Sequence, residues 1–271
     1  MTGVTGVDLA PPRFAHAKFA AHRLDIRSPR MAGLLAGHAA LVHLAFVVPR
    51  GRMSEAEMFD INVRGSHRVF HAARGGGVAR LLHMSSAVVY GGGVHLGENA
   101  PLKPLPRFLY AQHKAHLEQI LAIEFPECVR LRPHVVLGPH AHPVLRQLLN
   151  QPCYPRLPDP QPLLQCVHGD DVARAVLLCL AKPVRGAFNL AVEDNFNFRD
   201  AIRGRHRLRV PLPPAVARGM LNLAGKWAGW GGEPAWIDGL ARTTLLVNCR
   251  RIHVELGWRS SYSAAQVLAQ T

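Results

Sequence analysis

Tyr110 and Lys114 stand four residues apart in Tyr-Ala-Gln-His-Lys, within a stretch from Pro106 to Glu124 that reads as a helix. On a helix, positions i and i+4 share one face. A free phenol, with a pKa of about 10, is a poor base at neutral pH. An ammonium beside it favours the phenolate, so the pair can act as a tuned general acid and base. The spacing alone is common, and an exposed Tyr/Lys pair would account for it equally. A second group strengthens the reading. The segment Met84-Ser85-Ser86-Ala87-Val88-Val89-Tyr90-Gly91 follows the apolar run Val78–Met84. It sets hydroxyls at the C-terminal end of an expected strand, where open α/β sheets bind ligands.

The elements that must hold these residues can be read from pattern. Val4–Leu9, Phe19–Ile26, Ala39–Val48, Val78–Met84, Cys128–Leu131 and Ala187–Ala191 are short and apolar, as buried parallel strands are. Between them lie helical segments. Ser28–Leu35 ends at Gly37. A longer segment opens with Ser54 and Glu57 in capping-box spacing and stops at Gly75-Gly76-Gly77. Two further helices are predicted over Pro106–Glu124 and Asp170–Leu180. This alternation predicts an α/β fold with a doubly wound parallel sheet. From Gly138, clustered prolines up to Pro162 read as long loop, and Ala215–Trp230 as an amphipathic helix.

Composition narrows the class. The chain has 271 residues, 48% hydrophobic and 18% charged, enough to bury a sizeable core. Nothing in it reads as a spanning helix or, in Met1–Arg13, as a signal peptide, so a cytoplasmic location is expected. Five scattered cysteines, never in C-x-x-C, argue for reduced thiols rather than a disulfide scaffold or a cysteine zinc site. The net charge of +14 fits several anionic partners. The densest run, Arg199, Arg203, Arg205, Arg207 and Arg209, lacks interleaved aromatics and reads first as a solvated face. Contact with an anionic substrate is its second reading; a nucleic acid partner is not expected. His140 and His142, flanked by prolines, read as loop rather than metal ligands.

In order and spacing, further segments extend the pattern: His43-Leu44-Ala45, Asp60-Ile61-Asn62, Leu131-Arg132-Pro133, His168-Gly169-Asp170-Asp171 and Glu255-Leu256-Gly257-Trp258. Together they resemble the extended short-chain dehydrogenase/reductase family of the NAD-dependent epimerase/dehydratase type. The resemblance runs from about Val4 to Ala191 and weakly beyond. It implies a Rossmann-like domain over 1–190 and a small C-terminal substrate-binding region over 191–271. Loops 86–106 and 138–166 would lie on the substrate side. It implies NAD as cofactor, with NADP less favoured, a nucleotide sugar as substrate, and a homodimer as a possible assembly. By matched position, Tyr110 would be the catalytic tyrosine and Lys114 the lysine that lowers its pKa and holds the nicotinamide ribose. Ser86 would bond the reacting oxygen, and Asn62 would reach the lysine through water. Asp25 and Ile26 would lie beside the adenine, and Ala45 would line the cofactor.

The sequence departs from that family at its start. Thr2-Gly3-Val4-Thr5-Gly6-Val7-Asp8-Leu9 mimics the glycine turn that holds a cofactor pyrophosphate, but Leu9 stands where the third glycine belongs. Making Val4–Leu9 the family's second strand fits better, with Asp8 as the carboxylate for the adenosine ribose. The first strand, the glycine turn and the first helix would then be missing, through a late start codon or a truncated gene, and NAD binding by residues 1–271 would be weak. A second departure is Arg132-Pro133-His134, where nucleotide-sugar enzymes often carry asparagine. It keeps a hydroxysteroid dehydrogenase-like activity on an apolar alcohol or ketone as the alternative, beside a non-catalytic pseudoenzyme.

Overall fold

The computed structural model describes residues 3–12, 14–48, 53–150, 153–155, 159–202, 210–213, 215–216, 219 and 242–271. Strands β1 (Val4–Asp8) and β2 (Phe19–Arg23) pair in parallel, Val4 opposite Phe19 through Asp8 opposite Arg23. Four more parallel strands form the main sheet: β3 (Ala40–His43), β4 (Arg80–Met84), β6 (Val129–Pro133) and β10 (Gly186–Leu190), in the order β10-β6-β4-β3. Short parallel pairs join β5 (Gly93–Leu96) to β12 (Leu245–Val247), β7 (Val135–Leu137) to β9 (Cys166–His168), and β8 (Cys153–Pro155) to β11 (Val210–Leu212).

Helices cover both faces of the main sheet. Successive strand residues point to opposite faces, and Leu81 and Leu82 of β4 enter different cores. Leu81 packs among α1 (Met31–Leu35), α3 (Ser66–Gly75) and α4 (Leu109–Glu124), beside Phe70, Leu117 and Phe125. Leu82 packs with Leu131 and Phe188 against α6 (Gly169–Ala181) and α8 (Arg250–Leu256). A third core joins the 3₁₀ turn Ala87–Tyr90 to α7 (Phe198–Ile202), β12 and α9 (Ala264–Ala269). This is the expected doubly wound α/β sheet. No helix among the described residues is long and apolar enough to cross a membrane.

Several elements depart from the sequence pattern for identifiable reasons. The apolar run Ala39–Val48 is a strand only to His43. Asn62 takes both backbone groups of Val47, accepting from its N–H at 2.7 Å and donating to its carbonyl at 2.8 Å, so residues 44–48 leave the sheet. The long helix after Ser54 is composite: α2 (Glu55–Phe59), a π-helical turn over Asp60–Gly65, then α3. Ser54 caps it by accepting from the Glu57 N–H. At Gly65 a Cβ would lie 3.0 Å from the Arg27 side chain and 3.3 Å from that of Ile26, so a larger residue would require those side chains to shift for this turn to approach the loop after β2. Helix α4 starts at Leu109 rather than Pro106 because Arg107 adopts φ +62°, outside the helical region. The proline-rich stretch after Gly138 is not all loop. Helix α5 (Pro143–Leu149) opens on Pro143, whose fixed φ and missing N–H suit a first helical position. Arg199 pairs with Asp159 at 2.9 Å; Arg203, Arg205, Arg207 and Arg209 lie outside the described residues, as does most of Ala215–Trp230.

Candidate active site

The C-terminal end of β4 and the first turn of α4 bring Ser86, Tyr110 and Lys114 together. Ser86 has extended backbone and caps the turn Ala87–Tyr90 by accepting from the Val88 N–H at 3.4 Å. It also hydrogen-bonds the Tyr110 side chain. The Tyr110 ring meets the edge of Phe46 at 5.4 Å between centroids and lies 5.9 Å from Phe108. One helical turn on, Lys114 is buried. Its Nζ donates to the Met84 carbonyl at 2.5 Å and sits 3.7 Å above the Phe46 ring and 5.8 Å from the Tyr110 ring centroid.

Burial sets the electrostatics here. It pushes the Tyr110 phenol up to about 12, with the Ser86 hydrogen bond opposing. It pulls the Lys114 ammonium down to about 7, with Glu118 opposing. The spacing Tyr-x-x-x-Lys suggests a lysine that lowers the phenol; in the folded chain the desolvation of both groups outweighs that attraction. The phenol is therefore a proton donor at neutral pH, while the ammonium is poised to gain or lose its proton there. Lys114 has three N–H donors and gives one to Met84. The rest suit the hydroxyl oxygens of a ribose.

A buried polar network braces this end of the sheet. Glu118 lies four residues after Lys114 on the same face of α4 and is 1% exposed. It accepts from Ser85 Oγ at 2.6 Å and from Arg132, through Nε at 2.7 Å and through Nη2; Arg130 lies 3.7 Å away. Arg132 donates onward to the Tyr90 hydroxyl and the Glu98 carbonyl, and Tyr90 donates to Asn189 at 2.8 Å. Ser85, next to Ser86, is thus tied through one carboxylate to α4 and β6. Removing one partner of such a buried pair leaves an uncompensated charge, at a cost of about 3–5 kcal/mol.

The other expected site residues divide into two groups. Asn62 is fully buried. Its amide holds Val47 and lies 3.4 Å from His113 Nδ1. It fastens the segment carrying Ala45 and Phe46, and Lys114 donates to Met84. Asp8 and Asp25 lie at the C-terminal ends of β1 and β2, connected by the Leu24 N–H donating to the Asp8 carbonyl at 3.1 Å. The Asp8 carboxylate is exposed and accepts from the Ala10 N–H. The Asp25 carboxylate is engaged by Arg27 at 2.7 Å, which holds its pKa below the ordinary range; Arg27 also reaches Asp60. Ile26 packs against the core beneath α3.

The Gly3–Leu9 mimic is not a phosphate turn. Gly3 precedes β1 and Gly6 lies within it, where a Cβ would stand 2.5 Å from the Phe19 ring. Sequence reasoning missed Phe46 and the Glu118 network. Glu118 had a signal, since it continues the i, i+4 series of Tyr110 and Lys114. Phe46 had none, because its approach depends on the chain leaving β3.

Comparison with known proteins agrees with this fold. Residues 2–191 match the NAD dependent epimerase/dehydratase family. Among solved structures, DesIV, a dTDP-glucose 4,6-dehydratase from Streptomyces venezuelae with NAD and TYD bound, is 23% identical with a TM-score of 0.73, covering 100% of this chain and 86% of that one. MoeE5 in complex with UDP-glucuronic acid and NAD is 20% identical with a TM-score of 0.74, covering 99% of this chain and 89% of that one. A UDP-glucose-4-epimerase from Stenotrophomonas maltophila with NAD and formylated UDP-arabinopyranose is 21% identical with a TM-score of 0.74, at 99% and 89% coverage. A comparison with curated protein sequences finds no match.

Proposed function

Because the chain belongs to the NAD dependent epimerase/dehydratase family, we propose that it performs NAD-dependent redox chemistry on a nucleotide sugar, with Tyr110 as the proton-transfer residue. The single observation that carries this reading is the convergence of the Ser86 hydroxyl, the Tyr110 phenol and the buried Lys114 ammonium at the C-terminal end of β4. The nucleotide-sugar part rests on structural likeness to DesIV, MoeE5 and the epimerase, whose complexes hold dTDP- or UDP-linked ligands or NAD.

The residues present suit part of the cofactor. Lys114, with donors beyond the one given to Met84, and the Tyr110 phenol would hold the nicotinamide ribose. The backbone around Ala45 would line it. Asp8, with Asp25 and Ile26, would face the adenosine end. Among the described residues, the segment before and within β1 supplies no turn of backbone donors for the pyrophosphate. NAD when bound supplies the hydride acceptor. Ser86 would donate to the reacting substrate oxygen and hold it against Tyr110. Tyr110 Oη, as the phenolate, would take the hydroxyl proton as that oxygen becomes a carbonyl, and as the phenol would return it on the reverse step. Lys114 would stabilise the phenolate, offsetting the burial that holds the phenol up to about 12. Residues 191–271 would form the substrate-binding side.

The test mixes the chain with NAD and either UDP-glucose or dTDP-glucose, and follows reduced nicotinamide by absorbance and the sugar product by chromatography. Tyr110→Phe should lower turnover about 10²–10⁴-fold. Full turnover in that variant would remove Tyr110 from the mechanism. Turnover of a sterol ketone with none of either nucleotide sugar would overturn the substrate class.

A further inference from the structure

At the far end of α4 from Tyr110, three side chains converge that the redox chemistry does not use. His67 and His71 lie four residues apart on α3 and so share one helical face. Glu124, the last residue of α4, meets them. His67 Nε2 is 2.8 Å from Glu124 Oε2, His71 Nε2 is 3.2 Å from the same oxygen, and the two Nε2 atoms are 3.0 Å apart. All three potential ligand atoms fall within 4.8 Å of one another.

We propose that His67, His71 and Glu124 form a binding site for a divalent transition-metal ion, Zn²⁺ by preference. The donors are two imidazoles and one carboxylate, the set that zinc takes at about 2.0–2.2 Å while leaving a fourth position open. Tetrahedral bonds of that length put ligand atoms about 3.3 Å apart. The observed triangle is slightly tighter, and a small outward rotation of partly exposed side chains opens it. Hydrogen bonding by itself uses this triangle poorly: if both Nε2 atoms carry hydrogen to bond Oε2, neither can accept from the other. A cation satisfies all three lone pairs at once.

The frame behind the ligands is preorganised. Phe125, fully buried, meets the His71 ring edge-on at 5.1 Å and the His67 ring at 6.4 Å. Arg74, one turn after His71, lies 3.9 Å from the Phe125 ring centroid and donates to the Glu124 carbonyl and the Glu127 carboxylate, both at 2.7 Å. The backbone of Glu124 is therefore tied to the helix that carries both histidines. His140 and His142 join no comparable group among the described residues.

The fourteen residue steps from Tyr110 to Glu124 span about 21 Å of helix, so the ion would not meet the reacting atoms. It would clip α3 to the end of α4, with its open position to solvent or to a further ligand. Imidazole and carboxylate also accept Co²⁺, Ni²⁺ and Cu²⁺, so occupancy would follow geometry and supply rather than donor type alone.

The experiment uses the full 271-residue chain, stripped with a chelator that is then removed. Zn²⁺ is titrated in competition with a chromophoric chelator, and Co²⁺ is titrated in parallel to read coordination from its visible bands. The chain should take one equivalent of Zn²⁺ with micromolar or tighter affinity, and Zn²⁺ should raise its melting temperature. His71→Ala and, separately, Glu124→Gln should each weaken that equivalent at least tenfold and abolish the melting shift. Both positions are exposed, and circular dichroism checks that the variants fold. The site is overturned if the chain binds no equivalent tighter than millimolar. It is equally overturned if Glu124→Gln and the folded His67→Ala/His71→Ala double variant keep the tight equivalent, which would then belong to other histidines among the sixteen.

Discussion

The β1–β2 pair and the main sheet are built from the same parallel pairing, yet they differ in what covers them. In β4, β6 and β10 most residues are buried, whereas β2 has four of its five residues exposed and β1 is exposed at both ends. Parallel strands gain stability when both faces are packed, and among the described residues helices pack on both faces of the main sheet. The β1–β2 pair meets the rest through Val7, through Leu24 and Ile26 beyond it, and through His38 bonded to Thr5 at 2.9 Å. Among the described residues, β1 has only β2 as a strand neighbour and β3 only β4. The two groups of site residues follow this division. Proton transfer depends on close placement of the reacting groups, and Ser86, Tyr110 and Lys114 stand on the densely packed half. Asp8 and Asp25 stand on the lightly anchored half.

The strongest way to break this comparison is to remove one aromatic ring from each half. Phe188 in β10 is fully buried, so Phe188→Ala should cost about 3–5 kcal/mol. Phe19 in β2 is partly exposed against Phe14, and Phe19→Ala should cost less than about 1.5 kcal/mol. Urea unfolding of both variants reads the difference. Equal losses would mean that the two halves are equally packed.

A pH series sharpens the comparison with a smaller effect. His43 in β3 is pulled down to about 3 and His134, just after β6, to about 4, both by burial; His83 in β4 is shifted the same way. In the native state these imidazoles stay neutral while the unfolded chain takes up protons below about pH 6.5, so stability falls as pH falls through that value. Lys114 acts in the same direction at higher pH. Its native value of about 7 lies below that of a free lysine. The unfolded chain binds the extra proton between about 7 and 10, so Lys114 makes stability rise from about pH 7 until the buried thiols begin to titrate in the unfolded chain near about pH 9. Above about pH 9 the slope reverses, because burial pushes the thiols of Cys128, Cys166, Cys179 and Cys249 up to about 12, and the raised phenol of Tyr110 adds to the fall above about pH 10. Chemical unfolding from about pH 5 to about pH 8.5 should show both rising limbs, and Lys114→Met should flatten the one above about pH 7. A variant whose upper limb stays unchanged would show that Lys114 is not desolvated.

The smallest effect belongs to the surface of the β1–β2 half. Arg27 is about one-third exposed and pairs with Asp25 and Asp60. Arg27→Ala should change the urea midpoint by an amount equivalent to less than about 1 kcal/mol, because exposed ion pairs are weak. A larger loss would mean that this half leans on charge where it lacks packing.

Much of this was legible from the chain alone because it is local. Apolar runs of strand length mark β1, β4, β6 and β10, and Val4–Asp8 reads as a strand because Gly6 is set among residues that suit one, with no third glycine to complete a turn. The i, i+4 spacing places Tyr110, Lys114 and Glu118 on one face of α4 whatever surrounds them. Residues 44–48 look like more strand because their apolar character does not reveal that Asn62 captures Val47. The proline cluster hides α5 because proline opens a helix as readily as it ends one.

What the sequence by itself determined is therefore the element order, the doubly wound sheet, and the placing of Tyr110 and Lys114 on one face of α4. These rest on periodicity, backbone preference and the spacing of side chains within single elements. Tertiary structure alone decided the charge state and the partners. Burial, which is a property of the neighbours, raises Tyr110 and lowers Lys114 against the direction their proximity suggests. The Ser85–Glu118–Arg132 network and the meeting of His67 and His71 with Glu124 join residues from separate elements. Contacts of that kind carry no periodic signature in the chain, because their distances are set by how the helices pack on the sheet.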